Sequence, residues 1–221
     1  MTSTTRTRAV VFDLDGTLID SIPLVLAAIG HALEPFGPPR SGTEIFAHLG
    51  GPPERFLGTL LDVLKDLPVA LERLETFHRE NVHLIQPYNG VSAVLAKLRS
   101  ADVQVAIWTG RDRATADRLL REHQLSDFFA TVVCGDDLPS HKPDSEGLRE
   151  IMRRLGVKPS ETLFVGDADV DVLGGVGCGV DTLLIRHSRE VELYIASKSW
   201  CTVGSPNDAF EIVLSRVQHG R

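Results

Sequence analysis

Asp13 and Asp15 stand two residues apart where the apolar run Val10-Val11-Phe12 stops, and Gly16-Thr17 follows them. A run this rich in β-branched and aromatic residues reads as a buried strand. Ending it in two acids sets negative charge at the rim of a sheet, and open α/β sheets bind ligands outside the carboxyl ends of their strands. Carboxylates this close repel each other unless a cation or a shared proton relieves them. The segment therefore points to a divalent metal, an acid/base pair, or both.

Three further polar signals fall just past apolar runs. Thr109-Gly110-Arg111 follows residues 103–108, His141-Lys142-Pro143 lies beyond residues 131–134, and Gly166-Asp167-Ala168-Asp169-Val170-Asp171 follows residues 162–165. Parallel strands place their carboxyl ends on one edge, so Asp13, Asp15, Thr109, Lys142 and Asp167 are expected to converge. Acids, one lysine and one hydroxyl suit phosphoryl transfer. Acids hold magnesium, which takes oxygen ligands, and a carboxylate can attack phosphorus. Lysine and hydroxyl donors neutralise the peripheral oxygens of the transition state. A second carboxyl can protonate the leaving oxygen and later activate water.

These residues need a frame, and the pattern supplies one. Further strands are expected at residues 182–185 and, more weakly, 201–203. Helical stripes lie between: Val91, Val94, Leu95 and Leu98, and near the end Ala209, Ile212, Val213 and Val217 behind the capping candidates Ser205 and Asn207. Alternating strands and helices predict an α/β fold with a Rossmann-like parallel sheet covered on both faces. Residues 19–87 break the alternation. Ile22, Val25, Leu26, Ile29 and Leu33 form one stripe, Phe56, Leu57, Leu60, Leu61 and Leu64 another, and Leu67, Leu71 and Leu74 begin a third, with proline–glycine breakers between them. The expectation is an all-helical cap domain over 19–87, inserted in a core made of 1–18 and 88–221, with Pro87-Tyr88-Asn89-Gly90 as the return hinge.

The chain has 221 residues, 43% of them apolar, which is enough for a core with one sizeable insertion. A net charge of −7 argues against a nucleic-acid partner. Cys134, Cys178 and Cys201 are isolated, giving neither a disulfide framework nor a zinc site, and read as buried reduced thiols. No apolar stretch approaches the ~20 residues of a membrane span. Residues 1–8 read as a frayed polar tail and not a signal peptide. A cytoplasmic monomer or homodimer is expected, acting on a small molecule.

Taken together, Asp13-x-Asp15-x-Thr17, Thr109, Lys142-Pro143 and Gly166-Asp167-x-x-x-Asp171 resemble the four ordered motifs of the haloacid dehalogenase superfamily, over residues 9 to about 178. The helical insertion resembles the cap of its phosphoglycolate phosphatase-like and β-phosphoglucomutase-like members. The resemblance implies Asp13 as nucleophile, Asp15 as general acid/base with its carbonyl on the metal, and Thr109 and Lys142 as the phosphate-binding pair. It implies Asp167 as a metal-binding acid and Asp171 as support to that site, with Mg2+ as cofactor. Gly16, Thr17, Gly110 and Arg111 are the expected substrate-binding residues. Arg55, in the insertion loop Gly50-Gly51-Pro52-Pro53-Glu54-Arg55, is a candidate contact for an anionic substrate group. True dehalogenases lack the second acid of the first motif, so Asp15 points to a phosphatase.

Other assignments stay open at this level. A phosphotransferase of the phosphomutase kind and a pyrophosphatase share these motifs, and a receiver-like signalling domain is the non-enzyme alternative. Thr109 also fits a helix N-cap. Asp169 reads as a favourable charge in a first helical turn, Asp20 and Ser21 as caps of the first insertion helix, and His141 as a loop residue, since magnesium avoids nitrogen. The chain departs from the family pattern at Gly110-Arg111, where asparagine is usual, and at Ser145, where a second proline is usual. A third departure is the run Gly174-Gly175-Val176-Gly177-Cys178-Gly179, which predicts a short or bent helix.

Overall fold

The computed structural model of this chain describes residues 6–48 and 53–219. Its elements, in chain order, are β1 (Ala9–Phe12), β2 (Ile19–Asp20), α1 (Ile22–Leu33), α2 (Gly42–His48), α3 (Pro53–Leu60), α4 (Leu67–Asn81), β3 (Gln86–Pro87), α5 (Val91–Ser100), β4 (Gln104–Trp108), α6 (Arg113–Glu122), β5 (Thr131–Val133), α7 (Glu146–Leu155), β6 (Thr162–Gly166), α8 (Asp169–Val176), β7 (Asp181–Ile185), α9 (Leu193–Lys198), β8 (Cys201–Val203) and α10 (Pro206–His219). The chain divides into two compact units, one made of Met1–Asp20 with Pro87–Arg221 and the other of Ser21–Gln86.

The larger unit is built on a six-stranded sheet in the order β5-β4-β1-β6-β7-β8, parallel throughout. All four residues of β1 are fully buried, as expected for a central strand covered on both faces. The chain builds outward from β1 to β4 and β5, then crosses to β6 on the other side. That reversal opens a crevice at the carboxyl end of β1, the topological switch point of such sheets, where Asp13 and Asp15 follow the strand. On one face Ala9, Val11, Ala106, Trp108 and Phe164 pack with Leu148, Ile151, Met152 and Leu155 of α7. Burying one such side chain contributes about 1.5–3 kcal/mol. The α5 stripe of Val91, Val94, Leu95 and Leu98 is buried, and α5 packs on α10 and β4.

The smaller unit is helical. Ile29, Ala32 and Leu33 of α1 form its core with Ile45, Phe56, Leu57, Leu60, Leu61 and Ala70. Leu64 departs from the expected stripe: it sits in a short 3-10 turn between α3 and α4 and is 68% exposed, because the turn breaks the α-helical period that would have carried it inward.

Several local expectations are corrected. Ser21 flanks α1 with helical dihedrals (φ −94°, ψ −9°) and makes no side-chain cap bond; Pro23, the second helical residue, lacks an N–H to cap. At α10, Ser205 is the cap, its Oγ accepting from the Asp208 N–H at 3.3 Å, while Asn207 lies inside the helix. Residues 1–5 of the expected tail lie outside the described residues; Thr7 is buried, and its hydroxyl accepts from Arg216 Nε at 3.2 Å. The Arg8 N–H donates to the Glu161 carbonyl at 2.8 Å. Cys134 is buried, but Cys178 and Cys201 are only partly so. The glycine run does shorten α8, and it has a packing purpose: a Cβ at Gly174 would press on the Trp108 ring and one at Gly175 would overlap the Thr182 hydroxyl. Ser145, in place of the usual proline, is buried and donates to the Gly174 carbonyl at 2.7 Å.

Candidate active site

β1, β5, β6 and their neighbours deliver charged side chains to one edge of the sheet. Asp13 follows β1, its N–H donating to the Val165 carbonyl at 2.8 Å, so the residue is pinned between β1 and β6. Lys142, in the loop after β5, donates from Nζ to Asp13 Oδ1 and to Asp171 Oδ1, both at 2.7 Å. The three side chains are 9%, 10% and 1% exposed, in the order Lys142, Asp13, Asp171. The ammonium also lies 4.9 Å from the Trp108 ring centroid and 5.4 Å from that of Phe164, within cation–π range.

Asp171 is a hub. Its Oδ2 accepts from the Asp167 N–H at 3.1 Å and the Ala168 N–H at 2.9 Å, capping α8 as its other oxygen holds Lys142. Gly16 has φ +69°, and a Cβ there would overlap the Asp167 carboxylate; the left-handed turn and the close approach both require glycine. Asp13, Asp167 and Asp171 each offer a carboxylate oxygen within 4.8 Å of the others. Three carboxylates against one ammonium leave two negative charges uncompensated. Burial, with Asp171 and Asp15 nearby, pushes the Asp13 carboxyl up to about 7 despite Lys142. Burial, then the Asp13 and Asp171 charges, raise Asp167 to about 8. All-oxygen donors and this charge deficit fit a divalent hard cation such as Mg2+.

These shifts predict a metal-linked stability profile. Both carboxyls keep a proton in the folded protein at pH values where the unfolded chain, near pKa 3.8, has already released it. The folded state then binds more protons, so the stability these two groups contribute is full below about pH 3.8 and is lost as pH rises toward 8. Thermal melts of metal-free protein should show Tm falling over that range. Added Mg2+ should raise Tm, and by more at pH 8 than at pH 5.5, since protons compete with the ion. A Tm insensitive to Mg2+ at pH 8 would rule out the cluster as its site.

Asp15 is held differently. Arg111 donates from Nε to Asp15 Oδ2 at 2.9 Å and from Nη2 to Asp15 Oδ1. Burial opposes the Arg111 charge, but the Asp15 hydrogen bonds and the Asp15, Asp112 and Asp13 charges together outweigh it and raise its pKa. Thr109 is buried after β4, its Oγ1 accepting from the Arg111 N–H at 3.1 Å. It is not the cap of α6; that is Asp112, which accepts from the Thr115 N–H at 2.9 Å. Thr17 is fully buried, and its Oγ1 has no hydrogen-bond partner among the described residues. Gly110 is exposed and lines a small crevice with Thr109, Cys134, His141 and Lys142.

Other residues stand elsewhere. Asp169 opens α8 and ion-pairs with Arg189 Nη1 at 2.7 Å, which suits a charge in a first helical turn. His141 is an exposed loop residue. Gly50, Gly51 and Pro52 lie outside the described residues; Arg55 is an exposed side chain in the first turn of α3, in the helical unit.

Two residues escaped the sequence reading. His187, beyond β7, meets the Gly16 carbonyl through Nε2 at 2.7 Å, and since a carbonyl only accepts, Nε2 carries the proton. Arg189 donates from Nη2 to the Asp167 carbonyl at 2.8 Å. Between them they brace the backbone on both sides of the cluster. The strand-end rule that exposed Thr109 and Lys142 would have found them had it been applied after residues 182–185.

A family model described as haloacid dehalogenase-like hydrolase matches residues 10–185. Among curated relatives, pyrophosphatase PpaX of Halalkalibacterium halodurans is 34% identical over 192 residues, covering 84% of this chain and 86% of the relative. Phosphoglycolate phosphatase of Pseudomonas putida is 34% identical over 201 residues, covering 85% and 74%. Among solved structures, a subfamily IA hydrolase of the same superfamily from Geobacter sulfurreducens PCA superposes with TM-score 0.76 at 23% identity, covering 96% of this chain and 99% of that one. A haloacid dehalogenase-like family hydrolase from Streptococcus pneumoniae gives 0.76 at 21%, covering 96% and 100%. The chain belongs to the haloacid dehalogenase-like hydrolases, and it is an enzyme of the phosphatase type found in that family.

Proposed function

We propose that this protein is a magnesium-dependent phosphatase of small phosphate esters, acting through an aspartyl-phosphate on Asp13. The observation that carries the reading is the buried Lys142 clamped at 2.7 Å between Asp13 and Asp171, with Asp167 in the same cluster. The Asp13 oxygen not held by Lys142 attacks phosphorus, forming a new O–P bond as the bridging P–O bond breaks. Asp15 gives its proton to the departing oxygen. It then takes a proton from water, whose oxygen attacks the acyl phosphate and releases inorganic phosphate and free Asp13. Lys142 and Thr109 stabilise the charge that builds on the phosphoryl oxygens. Gly16, Thr17 and Gly110 border the phosphate position, and Arg55 of the helical unit is a candidate substrate contact.

The Asp13 and Asp167 carboxylates and the Asp15 carbonyl would hold Mg2+, with Asp171 fixing the Asp167 backbone. The ion would neutralise phosphoryl charge there. Pyrophosphate is a second candidate substrate, favoured by the pyrophosphatase relative. Free thiols at Cys134, Cys178 and Cys201 support a reducing, cytoplasmic setting. Among the described residues no helix is long and apolar enough to cross a membrane.

The test is phosphate release from a panel of metabolite esters with and without Mg2+, together with Asp15→Asn. That variant should lose about 10²-fold or more in turnover and accumulate acid-stable phosphoprotein. Turnover as fast as the parent's would remove Asp15 from the acid/base role. Sugar isomerisation without net phosphate release would favour a phosphomutase.

A further inference from the structure

Arg111 and Asp15 form a close ion pair beside Asp13. The guanidinium donates from Nε to Asp15 Oδ2 at 2.9 Å and from Nη2 to Asp15 Oδ1, a two-bond fork on one carboxylate. The fork engages both Asp15 oxygens, so the carboxylate cannot swing toward a leaving group bound at Asp13 without giving up at least one of these bonds. Arg111 is itself confined: its side chain is 12% exposed, and its N–H is tied to Thr109 Oγ1 at 3.1 Å. A guanidinium does not shed its proton, and a charge this buried is costly to leave without a partner. Opening the pair therefore calls for a replacement anion at the same place. A neutral alcohol brings only hydroxyls. A carboxylate or a phosphate brings two oxygens at the spacing of the fork.

We propose that Arg111 is the subsite for a second anionic group, carried on the leaving portion of the substrate, and that the Asp15 carboxylate occupies this subsite until the substrate's anion takes it over. The proposal rests on the phosphatase reading and narrows its substrate class to esters and anhydrides whose leaving group is itself a carboxylate or a phosphate. The incoming anion takes the fork, and Asp15, freed of the guanidinium, takes a proton from solvent and turns it toward the departing oxygen. One exchange of partners thus couples recognition of the leaving group to release of the acid. Neutral leaving groups occupy the phosphoryl position but do not make the exchange.

The test compares phosphoglycolate, pyrophosphate and phenyl phosphate in the parent, Arg111→Gln and Arg111→Lys, reading kcat/KM for phosphate release with Mg2+. The preference for the two anionic substrates over phenyl phosphate should fall about 30-fold in Arg111→Gln, the worth of a lost charge-assisted fork. It should fall by less in Arg111→Lys, which keeps the charge without the fork and carries the comparison if the glutamine variant does not fold. A second arm measures binding by calorimetry in the Asp13→Asn background. Phosphoglycolate should bind more weakly by a similar factor once Arg111→Gln is added, and phenyl phosphate by much less. A preference unchanged within about twofold, with all substrates falling together, would reduce Arg111 to a positioning residue for Asp15 and overturn the subsite. If the parent released phosphate from none of the three, the phosphatase reading would fail, and the calorimetric arm would decide the subsite by itself.

Discussion

Asp13→Asn is expected to cut phosphate release by about 10³-fold or more while leaving the fold in place. The amide is nearly isosteric with the carboxyl, and its oxygen can still accept from Lys142, so the clamp beneath β1 persists. What disappears is the anionic oxygen that forms the covalent intermediate. Stability should move little, or rise at neutral pH. Burial already pushes the Asp13 carboxyl up to about 7, so a neutral side chain removes a charge that the folded state disfavours. Phosphate release and a thermal melt of the same preparation check both halves. Turnover above a tenth of the parent's rate in pure variant protein would remove Asp13 from the nucleophile position.

Lys142→Met is the second large effect, and it should strike activity and stability together. Methionine keeps much of the apolar stem against Trp108 and Phe164 but removes the ammonium shared by Asp13 and Asp171. Two buried carboxylates then face each other without their counterion, and breaking a buried pair in this way costs about 3–5 kcal/mol. The loss should be largest at pH 8 and smaller at pH 5.5, where the acids can take up protons instead. In a domain of this size that corresponds to a Tm drop of about 10 °C at the higher pH. Turnover should fall by about 10²-fold or more, since the same ammonium neutralises the phosphoryl oxygens. A surface lysine in its place would change stability by less than about 0.5 kcal/mol. A result of that size would dissolve the clamp on which the reading of the site depends.

The departures from the family pattern divide into two kinds. Ser145 and the glycines at 174 and 175 are packing solutions: they let α8 lie against Trp108, Thr182 and the Lys142 loop and leave the chemistry alone. Gly110-Arg111 is different. It places a buried guanidinium on the acid that has to move a proton, and so it reaches the choice of substrate.

The sequence by itself determined the six strands of the main sheet, though not the two-residue strands β2 and β3, together with the helical insertion after β1 and the convergence of Asp13, Lys142 and Asp167 on one edge of the sheet. Those features are legible because they are local or follow from a single rule: buried parallel strands are runs of β-branched and aromatic residues, and their carboxyl ends share an edge. It did not show that Arg111 grips Asp15 across 96 positions of chain, that Asp171 joins Lys142 to the start of α8, or that His187 and Arg189 brace Gly16 and Asp167. Only the tertiary structure decided these. A side chain's partner depends on which strands become neighbours after the crossover from β5 to β6 and on how far each loop carries it past the strand end. No window of residues along the chain contains that information.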